Sequence, residues 1–200
     1  MTKDFIFTLK DLAKEIHETA VEKGWWEKER NDGEMLALAH SEISEAYDAV
    51  LKGIQQDDKV PEYTGLEAEL ADTMIRILDQ AYAREWNFEG PLSKLVSGYE
   101  EIRGEWPSAI QLTIHNYKID HIQAIAEFHK DVSDILESLR HGSKKHEFLI
   151  EYTTTEVTVA CLLMDILMYC YSSRLRIEEV IHAKMAMNKT RSYKHGGKEF

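Results

Sequence analysis

Four acidic residues are spaced so that they could bind one metal ion together. Glu42 and Glu45 lie three residues apart, and Glu69 and Asp72 repeat that spacing. Residues three apart on an α-helix share a face, so each pair can direct two carboxylates to one point. Two such pairs on consecutive antiparallel helices would surround a point with oxygen donors, which hard divalent cations prefer. The four residues are therefore a candidate Mg²⁺ site, at which Mn²⁺ could replace Mg²⁺.

Each of these acids also has an ordinary structural explanation. Glu42 falls inside the apolar arc of its predicted helix, where an ionised carboxylate is costly unless it is paired or bound to a metal. A partly buried ion pair would satisfy it. Glu69 and Asp72 lie off the apolar stripe of the next helix, so they could form a solvated face on which Asp72 pairs with Arg76. The combination of the two acid pairs favours the metal site.

The C-terminal segment is basic, whereas the rest of the chain is acidic. Lys184, Asn188 and Arg191 are spaced i, i+4 and i+7, which places them on one helical face. Arg offers a planar fork for phosphate, Lys a point charge, and Asn both a donor and an acceptor. The segment HGGK at 195–198, which ends in Lys198, could close over a ligand. A site for a small polyanion and a frayed, solvated tail both remain open at this point.

The sequence around the first acid pair occurs a second time in the chain. Residues 40–53 (HSEISEAYDAVLKG) and residues 129–142 (HKDVSDILESLRHG) match at an offset of 89, with His, Ser and Gly in the same register. At that offset Glu42, Glu45, Glu69 and Asp72 correspond to Asp131, Asp134, Thr158 and Cys161. The second copy cannot assemble four carboxylates, so we interpret it as a degenerate structural repeat.

The apolar periodicity predicts an all-α fold. Prolines are few, no segment alternates polar and apolar residues, and Gly-containing segments separate the periodic stretches. The predicted helices span 7–23, 33–53, 64–86, 90–103, 119–141, 147–174 and 176–189. We expect one domain, residues 1–200, built as a helical bundle from two tandem degenerate repeats. One lobe, at about 1–105, would bind the metal, and the other, at about 106–200, would carry the basic tail.

Composition excludes several classes of function. A formal net charge of −12 repels nucleic acid phosphate. Cys161 and Cys170 are nine residues apart, which matches neither a disulfide framework nor a zinc site, and indicates buried thiols in a reducing compartment. The longest apolar run, Val157 to Tyr171, is short for a membrane span and contains Asp165. We expect a cytoplasmic protein that binds neither nucleic acid nor membrane.

The strings HSEISEA, GLEAELADTMIRILD and HAKMAMNKTRSYKHGGKEF together resemble the MazG-like branch of the all-α nucleoside triphosphate pyrophosphohydrolases, a superfamily that includes the dimeric dUTPases. The family signature is EExxE, a spacer and ExxD, and the likeness extends over nearly the whole chain. It implies the all-α fold and metal binding by Glu42, Glu45, Glu69 and Asp72. Ser41 stands where the signature has its leading glutamate.

The resemblance also implies a reaction. A (d)NTP or noncanonical nucleotide would be hydrolysed to the monophosphate and pyrophosphate, as in the removal of unwanted nucleotides from the pool. Glu45 and Glu42 would be the catalytic acids, with one of them taking a proton from water. The nucleotide would be bound by Lys184, Asn188, Arg191 and Lys198. The site would be completed within one chain or across a homodimer.

Two other classes of function compete with hydrolysis. The chain could be a non-catalytic nucleotide-binding helical module, an alternative that Ser41 supports. It could also be a di-iron carboxylate bundle, which needs an ExxH motif on each of two helices, whereas Glu179 and His182 supply one.

A salt bridge between the two lobes is a further expectation. At the offset of 89, Arg76 corresponds to Asp165, the one charged residue in its apolar run. Because a lone buried carboxylate requires a cation, we predict that Arg76 and Asp165 pair. We also predict that Lys184 and Arg191 approach the carboxylate cluster.

Overall fold

The computed structural model describes residues 3–53, 55–103 and 120–194, and within these ranges it contains seven α-helices and no strand. The all-α prediction is confirmed. The helices are α1 Lys3–Glu22, α2 Asp32–Leu51, α3 Gly65–Ala83, α4 Glu89–Arg103, α5 His121–Arg140, α6 Thr154–Ser172 and α7 Ile177–Thr190.

Side-chain caps fix where the central helices begin. Thr64 accepts a hydrogen bond from the Glu67 N–H, and the Glu67 carboxylate accepts one from the Thr64 N–H, which forms a capping box at the start of α3. Thr153 and Glu156 form the same box at the start of α6. The prediction that this helix begins at 147 is therefore wrong by seven residues. The capping box at Thr153 fixes Thr154 as its first residue.

Helix α3 lies at the centre of the bundle. It packs against α1, α2 and α7, and it also contacts α6. One continuous core contains buried side chains from every one of the seven helices, among them Leu9, Ile43, Met74, Val96 and Ile181. Helix α7 comes from the end of the chain and packs on α3, whereas α4 packs on α6. This exchange of helices places the basic C-terminal segment beside the first acidic motif.

Several local features recur at an offset of 89 residues. Gly53 and Gly142 both adopt positive φ, at 90° and 77°. The backbone N–H of Arg176 donates to Glu67 Oε1 at 2.9 Å, and the N–H of Asn87 donates to Glu156 Oε1 at 2.9 Å. Each hydrogen bond therefore connects the first turn of one helix, α3 or α6, to the loop before the helix that packs on it, α7 or α4.

Helices α2 and α5 meet at equivalent residues. His40 Nδ1 and His129 Nδ1 are 2.8 Å apart, and their rings stack with centroids 5.1 Å apart and an interplanar angle of 18°. One nitrogen must carry a hydrogen and the other must accept it. Burial lowers the pKa of both imidazoles, and for His40 the charge of His129 lowers it further.

Helix α6 is the one described helix that is long and apolar enough to cross a membrane. The stretch concerned is Thr154–Ser172, with a mean hydropathy of 1.3, and 61% of it is buried among the other helices. Core helices of globular domains have the same length and composition.

Candidate functional site

Three of the four predicted metal-binding acids converge. Glu42, Glu69 and Asp72 each offer one carboxylate oxygen, and these atoms all lie within 4.8 Å of one another. An all-oxygen donor set of this kind suits Mg²⁺ or Mn²⁺. Glu45 lines the same cavity but is exposed and outside this close group, and its Oε1 lies 3.5 Å from the Ser41 hydroxyl. The residues that the structure brings together therefore fit a hard divalent cation.

Two cations contact the carboxylates directly. Arg76 donates to Glu42 Oε1 from Nε at 2.9 Å and from Nη2 at 2.7 Å. Lys184 Nζ lies 2.8 Å from Asp72 Oδ2 and 3.8 Å from Asp57 Oδ2. The side chain of Lys184 is 0% exposed, and a buried ammonium requires such partners. The prediction that Lys184 approaches the cluster is confirmed, and the approach is made within one chain.

The crowding of charge perturbs the titration of the cluster. Burial raises the pKa of Glu69 to about 8, and the neighbouring Asp72 charge adds to the increase while Lys184 opposes it. Burial likewise raises the pKa of Asp72. For Lys184, burial lowers the pKa, but the attraction of Asp72 outweighs it and the pKa is raised. The cluster therefore gathers more negative charge than Arg76 and Lys184 readily neutralise.

A cavity of about 640 Å³ opens beside the carboxylates. This volume is in the range typical of small-molecule sites. Its wall contains the four predicted acids together with Asn188 and Arg191, two of the predicted nucleotide ligands. Lys184, the third, is buried beneath Asp72, and Lys198 lies outside the described residues.

Sequence reasoning missed several charged residues of the cavity wall. Lys23 and Arg30 line it from the loop between α1 and α2, and Lys59 lines it from the loop between α2 and α3. No local pattern marks these cations, because the packing of these loops against the helices brings them together. Asp79 was also missed, although it lies seven residues after Asp72 and therefore on the same face of α3.

Asp57, in the loop before α3, was missed as well. Its Oδ1 accepts hydrogen bonds from the backbone N–H groups of Lys59 and Val60, at 3.0 and 2.7 Å. Its side chain is buried, and its other oxygen faces Lys184. The sequence DDKV signals a turn of this type, but it does not reveal the long-range pairing with Lys184.

The positions that correspond to the first cluster carry different chemistry. Asp131 and Asp165 share a hydrogen bond between their carboxyl groups. Burial and the charge of Asp165 raise the pKa of Asp131 to about 7, and desolvation also raises the pKa of Asp165. Burial raises the pKa of the Cys161 thiol to about 11. At neutral pH Asp131 is therefore about half protonated and the Cys161 thiol keeps its proton, whereas Glu42 forms a salt bridge with Arg76.

The predicted salt bridge between Arg76 and Asp165 is wrong. Arg76 pairs with Glu42, and Asp165 contacts Asp131. Asp165 is exposed at the surface of α6 although its neighbours desolvate it in part, and its hydrogen-bond partner is Asp131.

The di-iron alternative receives no support from the geometry. Glu179 and His182, its ExxH motif, are both exposed on α7. A di-iron centre of this type is built inside the bundle from inward-facing ligands. The outward placement of this motif makes it an ordinary part of a solvated helix face.

Comparison with protein-family models, with curated proteins and with solved structures finds no match to this chain.

Proposed function

We propose that the chain is a Mg²⁺-dependent nucleoside triphosphate pyrophosphohydrolase, which cleaves a (d)NTP or noncanonical nucleotide to the monophosphate and pyrophosphate. The observation that carries the proposal is the convergence of Glu42, Glu69 and Asp72 within 4.8 Å at the wall of a cavity of about 640 Å³. Cations that could bind phosphate line the same cavity. A triphosphate matches both features, because it carries negative charge and binds hard metals through oxygen.

Each group of residues has a distinct part in the proposed reaction. Glu42, Glu69 and Asp72 would hold the cation, which when bound supplies charge neutralisation and lowers the pKa of a water molecule. Glu45 is exposed to the cavity and takes a proton from the attacking water. Arg191 and Asn188 bind the phosphate chain, and Arg191 stabilises the charge that develops on pyrophosphate. Water attacks the α-phosphorus, the bond to the bridging oxygen breaks, and pyrophosphate leaves.

Lys184 acts in this scheme through Asp72 and not on the nucleotide. Its side chain is 0% exposed and bonded to Asp72 at 2.8 Å. Its charge opposes the increase that burial causes in the pKa of Asp72, and its hydrogen bond fixes the position of that carboxyl group.

The proposal includes a common origin for the two halves of the chain. The capping boxes, the positive-φ glycines and the paired histidines recur at the same offset. We infer a tandem duplication in which the lobe at about 1–105 kept the carboxylates, while the lobe at about 106–200 supplies α7 to that site. A homodimer is then not required to complete it.

A panel of ordinary and modified nucleoside triphosphates with Mg²⁺ or Mn²⁺ tests the proposed activity. Pyrophosphate and orthophosphate are measured in parallel, and samples with EDTA control for metal dependence. We expect pyrophosphate release from at least one member. Orthophosphate alone would place the cut at another bond and contradict the proposal.

A non-catalytic nucleotide-binding module is the second candidate. The contacts of Arg76 with Glu42 and of Lys184 with Asp72 favour it, because two of the three acids are already paired with cations. Binding of triphosphates without turnover of any of them, measured by calorimetry on the same panel, would favour this module over the enzyme.

A further inference from the structure

A second acidic position lies in the cavity, away from the metal-binding acids. Asp79 is seven residues after Asp72 on α3, which places it two helical turns, about 10 Å, along the same face. Its side chain is 12% exposed, and it lines the cavity. This distance is comparable to the reach from the α-phosphate of a nucleotide to the pairing edge of its base. A nucleotide with its phosphates at the carboxylate cluster can therefore bring its base to Asp79.

Two donors hold the Asp79 carboxylate in one orientation. Oδ1 accepts from His17 Nδ1 at 2.7 Å and from Trp26 Nε1 at 3.0 Å, whereas Oδ2 has a longer contact of 3.2 Å with the same indole N–H. The His17 ring packs edge-to-face on Trp26, with centroids 5.0 Å apart. Because a carboxylate accepts about four hydrogen bonds, Oδ2 keeps capacity for a further donor.

The cavity that Asp79 lines also offers apolar surface to a flat group, although most of its lining is polar. Ile16 and Ile75 line it, as does Trp25. Apolar side chains combined with a few fixed polar groups are the usual construction of a selective small-molecule pocket. A carboxylate in such a place binds donors and repels carbonyl oxygens.

We propose that Asp79 determines base specificity by accepting a hydrogen bond from an exocyclic amino group, so that the site prefers bases such as cytosine and adenine. This inference rests on the proposed function in that it assumes a nucleotide in the cavity. Uracil and hypoxanthine are rejected, because each presents a carbonyl oxygen where cytosine and adenine present the amino group. A hydrogen bond to a charged acceptor is strong enough for discrimination on the order of 10- to 100-fold.

A purely structural role explains only part of this arrangement. An anchor for His17 and Trp26 needs Oδ1, which receives both short hydrogen bonds. It does not need an acid that also lines the cavity. Loss of an anchor would weaken all nucleotides alike, whereas loss of a specificity determinant changes their ratio.

Matched pairs of nucleotides test the inference directly. dCTP and dUTP differ at one exocyclic position, as do dATP and dITP. For the wild-type protein we expect kcat/KM to favour the amino member of each pair at least about tenfold. Calorimetric binding of the non-hydrolysable α,β-methylene analogues, with Mg²⁺, should show the same preference.

The variant Asp79→Asn sharpens the test. His17 and Trp26 would hold the amide oxygen at the position of Oδ1, which directs the amide N–H₂ to the cavity. The amide then donates to a carbonyl, so the preference should fall to about one or invert. Asp48→Asn, which removes the same charge from an exposed ion pair on α2, is the control and should leave the ratio unchanged.

The outcomes separate this inference from the proposed function. Equal binding of the amino and carbonyl analogues by the wild-type protein overturns the role of Asp79, even if pyrophosphate is released. Selective binding without turnover supports Asp79 and contradicts the enzyme. Absence of binding by every analogue overturns both. If Asp79→Asn fails to fold, the ratios between amino and carbonyl nucleotides measured on the wild-type protein still test the predicted preference.

Discussion

The first and second halves of the chain present different chemistry at equivalent positions. Glu42 on α2 contacts Arg76 on α3 through two hydrogen bonds of 2.9 and 2.7 Å. Eighty-nine residues later, Asp131 on α5 contacts Asp165 on α6, and burial together with the charge of Asp165 raises the pKa of Asp131 to about 7. The first pair joins an acid to a cation and the second joins two acids, although α3 and α6 both begin with a capping box.

The other two acids of the first half also have no acidic counterpart in the second half. Glu69 and Asp72 on α3 are replaced by Thr158 and Cys161 on α6. Thr158 donates its hydroxyl to backbone carbonyls of its own helix, at 3.0 Å from both Thr154 and Thr155. The second half therefore satisfies its polar groups locally, whereas the first half concentrates acids beside a cavity.

This difference shows which features define the fold and which define the site. Capping boxes, glycines at positive φ and the apolar core occur in both halves, so they specify the helices. The converging acids Glu42, Glu69 and Asp72 occur at the cavity of one half. Proteins tolerate such local conflicts at functional sites and compensate for them elsewhere.

The largest effect should follow from removing the buried cation of the first half. Lys184→Met leaves Asp72 and Asp57 without their ammonium partner, and breaking a buried pair costs about 3–5 kcal/mol. Denaturant unfolding measures the loss. Leu95→Met, at the equivalent position of α4, is the control and should cost less than about 1.5 kcal/mol. Recovery of stability in the double variant Lys184→Met/Asp72→Asn would identify the pairing as the cause, and additive losses would contradict it.

The second prediction concerns the carboxylate with the most perturbed titration. Glu69→Gln should lower metal-dependent pyrophosphate release by at least about 100-fold, more than the loss of a group that only orients a ligand. Metal-free protein should melt a few degrees higher, since burial and Asp72 oppose ionisation of Glu69. Thr158→Ala, the equivalent change in the second half, should leave turnover intact. A similar loss in Thr158→Ala would remove the distinction between the halves.

Much of the fold could be predicted from the sequence. Seven periodic segments predicted seven helices, because each must bury an apolar stripe. The error at the start of α6 was avoidable, since Thr153 and Glu156 have the spacing of a capping box. The apolar periodicity placed the start of this helix too early because residues 147–150 include Phe148, Leu149 and Ile150. In the structure these residues precede the helix, and Phe148 and Ile150 are exposed.

The candidate site could be predicted only where its residues are near in sequence. The i, i+3 spacing identified the acids, and the approach of Lys184 followed from the pairing of the two halves. The partner of Arg76 did not follow, because Asp72 lies four residues before it on α3, Glu42 lies on the neighbouring α2, and only packing selects Glu42. The pairing of Asp57 with Lys184 and the contact of Asp79 with His17 link distant segments, and no local spacing encodes them.

The third prediction uses the carboxyl pair of the second half. The folded-state pKa of Asp131, about 7, is above its usual value of 3.8, so the folded protein retains a proton that the unfolded chain releases. Stability should therefore decrease as pH rises from about 4 through 7. Asp131→Asn replaces that proton with an amide donor and should be more stable than wild type at pH 8.5 by about 1–2 kcal/mol, with solvent screening allowed for.

Thermal unfolding at pH 5 and pH 8.5 measures this effect. The gain of Asp131→Asn should be small at pH 5, where the wild-type carboxyl is already protonated, and pyrophosphate release should be little changed. Equal gains at both pH values would show that the pair does not share a proton. A loss of turnover as large as that of Glu69→Gln would contradict the assignment of catalysis to the first half.

The smallest effect is expected where the two halves are alike and in contact. His40 and His129 share one hydrogen between Nδ1 atoms 2.8 Å apart, and burial lowers the pKa of both. The unfolded chain therefore takes up protons more readily than the folded protein as pH falls below about 6.5, the usual pKa of histidine, and this part of the stability is lost there. Protonation of both rings would also place two like charges in a stack.

His129→Asn keeps a hydrogen-bonding group for His40 but removes one titrating ring, so the decrease in stability between pH 7.5 and 5.5 should shrink by about 0.5–1 kcal/mol. The exposed His182→Asn is the control and should follow the wild-type profile. Parallel profiles for His129→Asn and wild type would show that contact between α2 and α5 is insensitive to protonation, and the equivalence of the two histidines would then be a matter of packing alone.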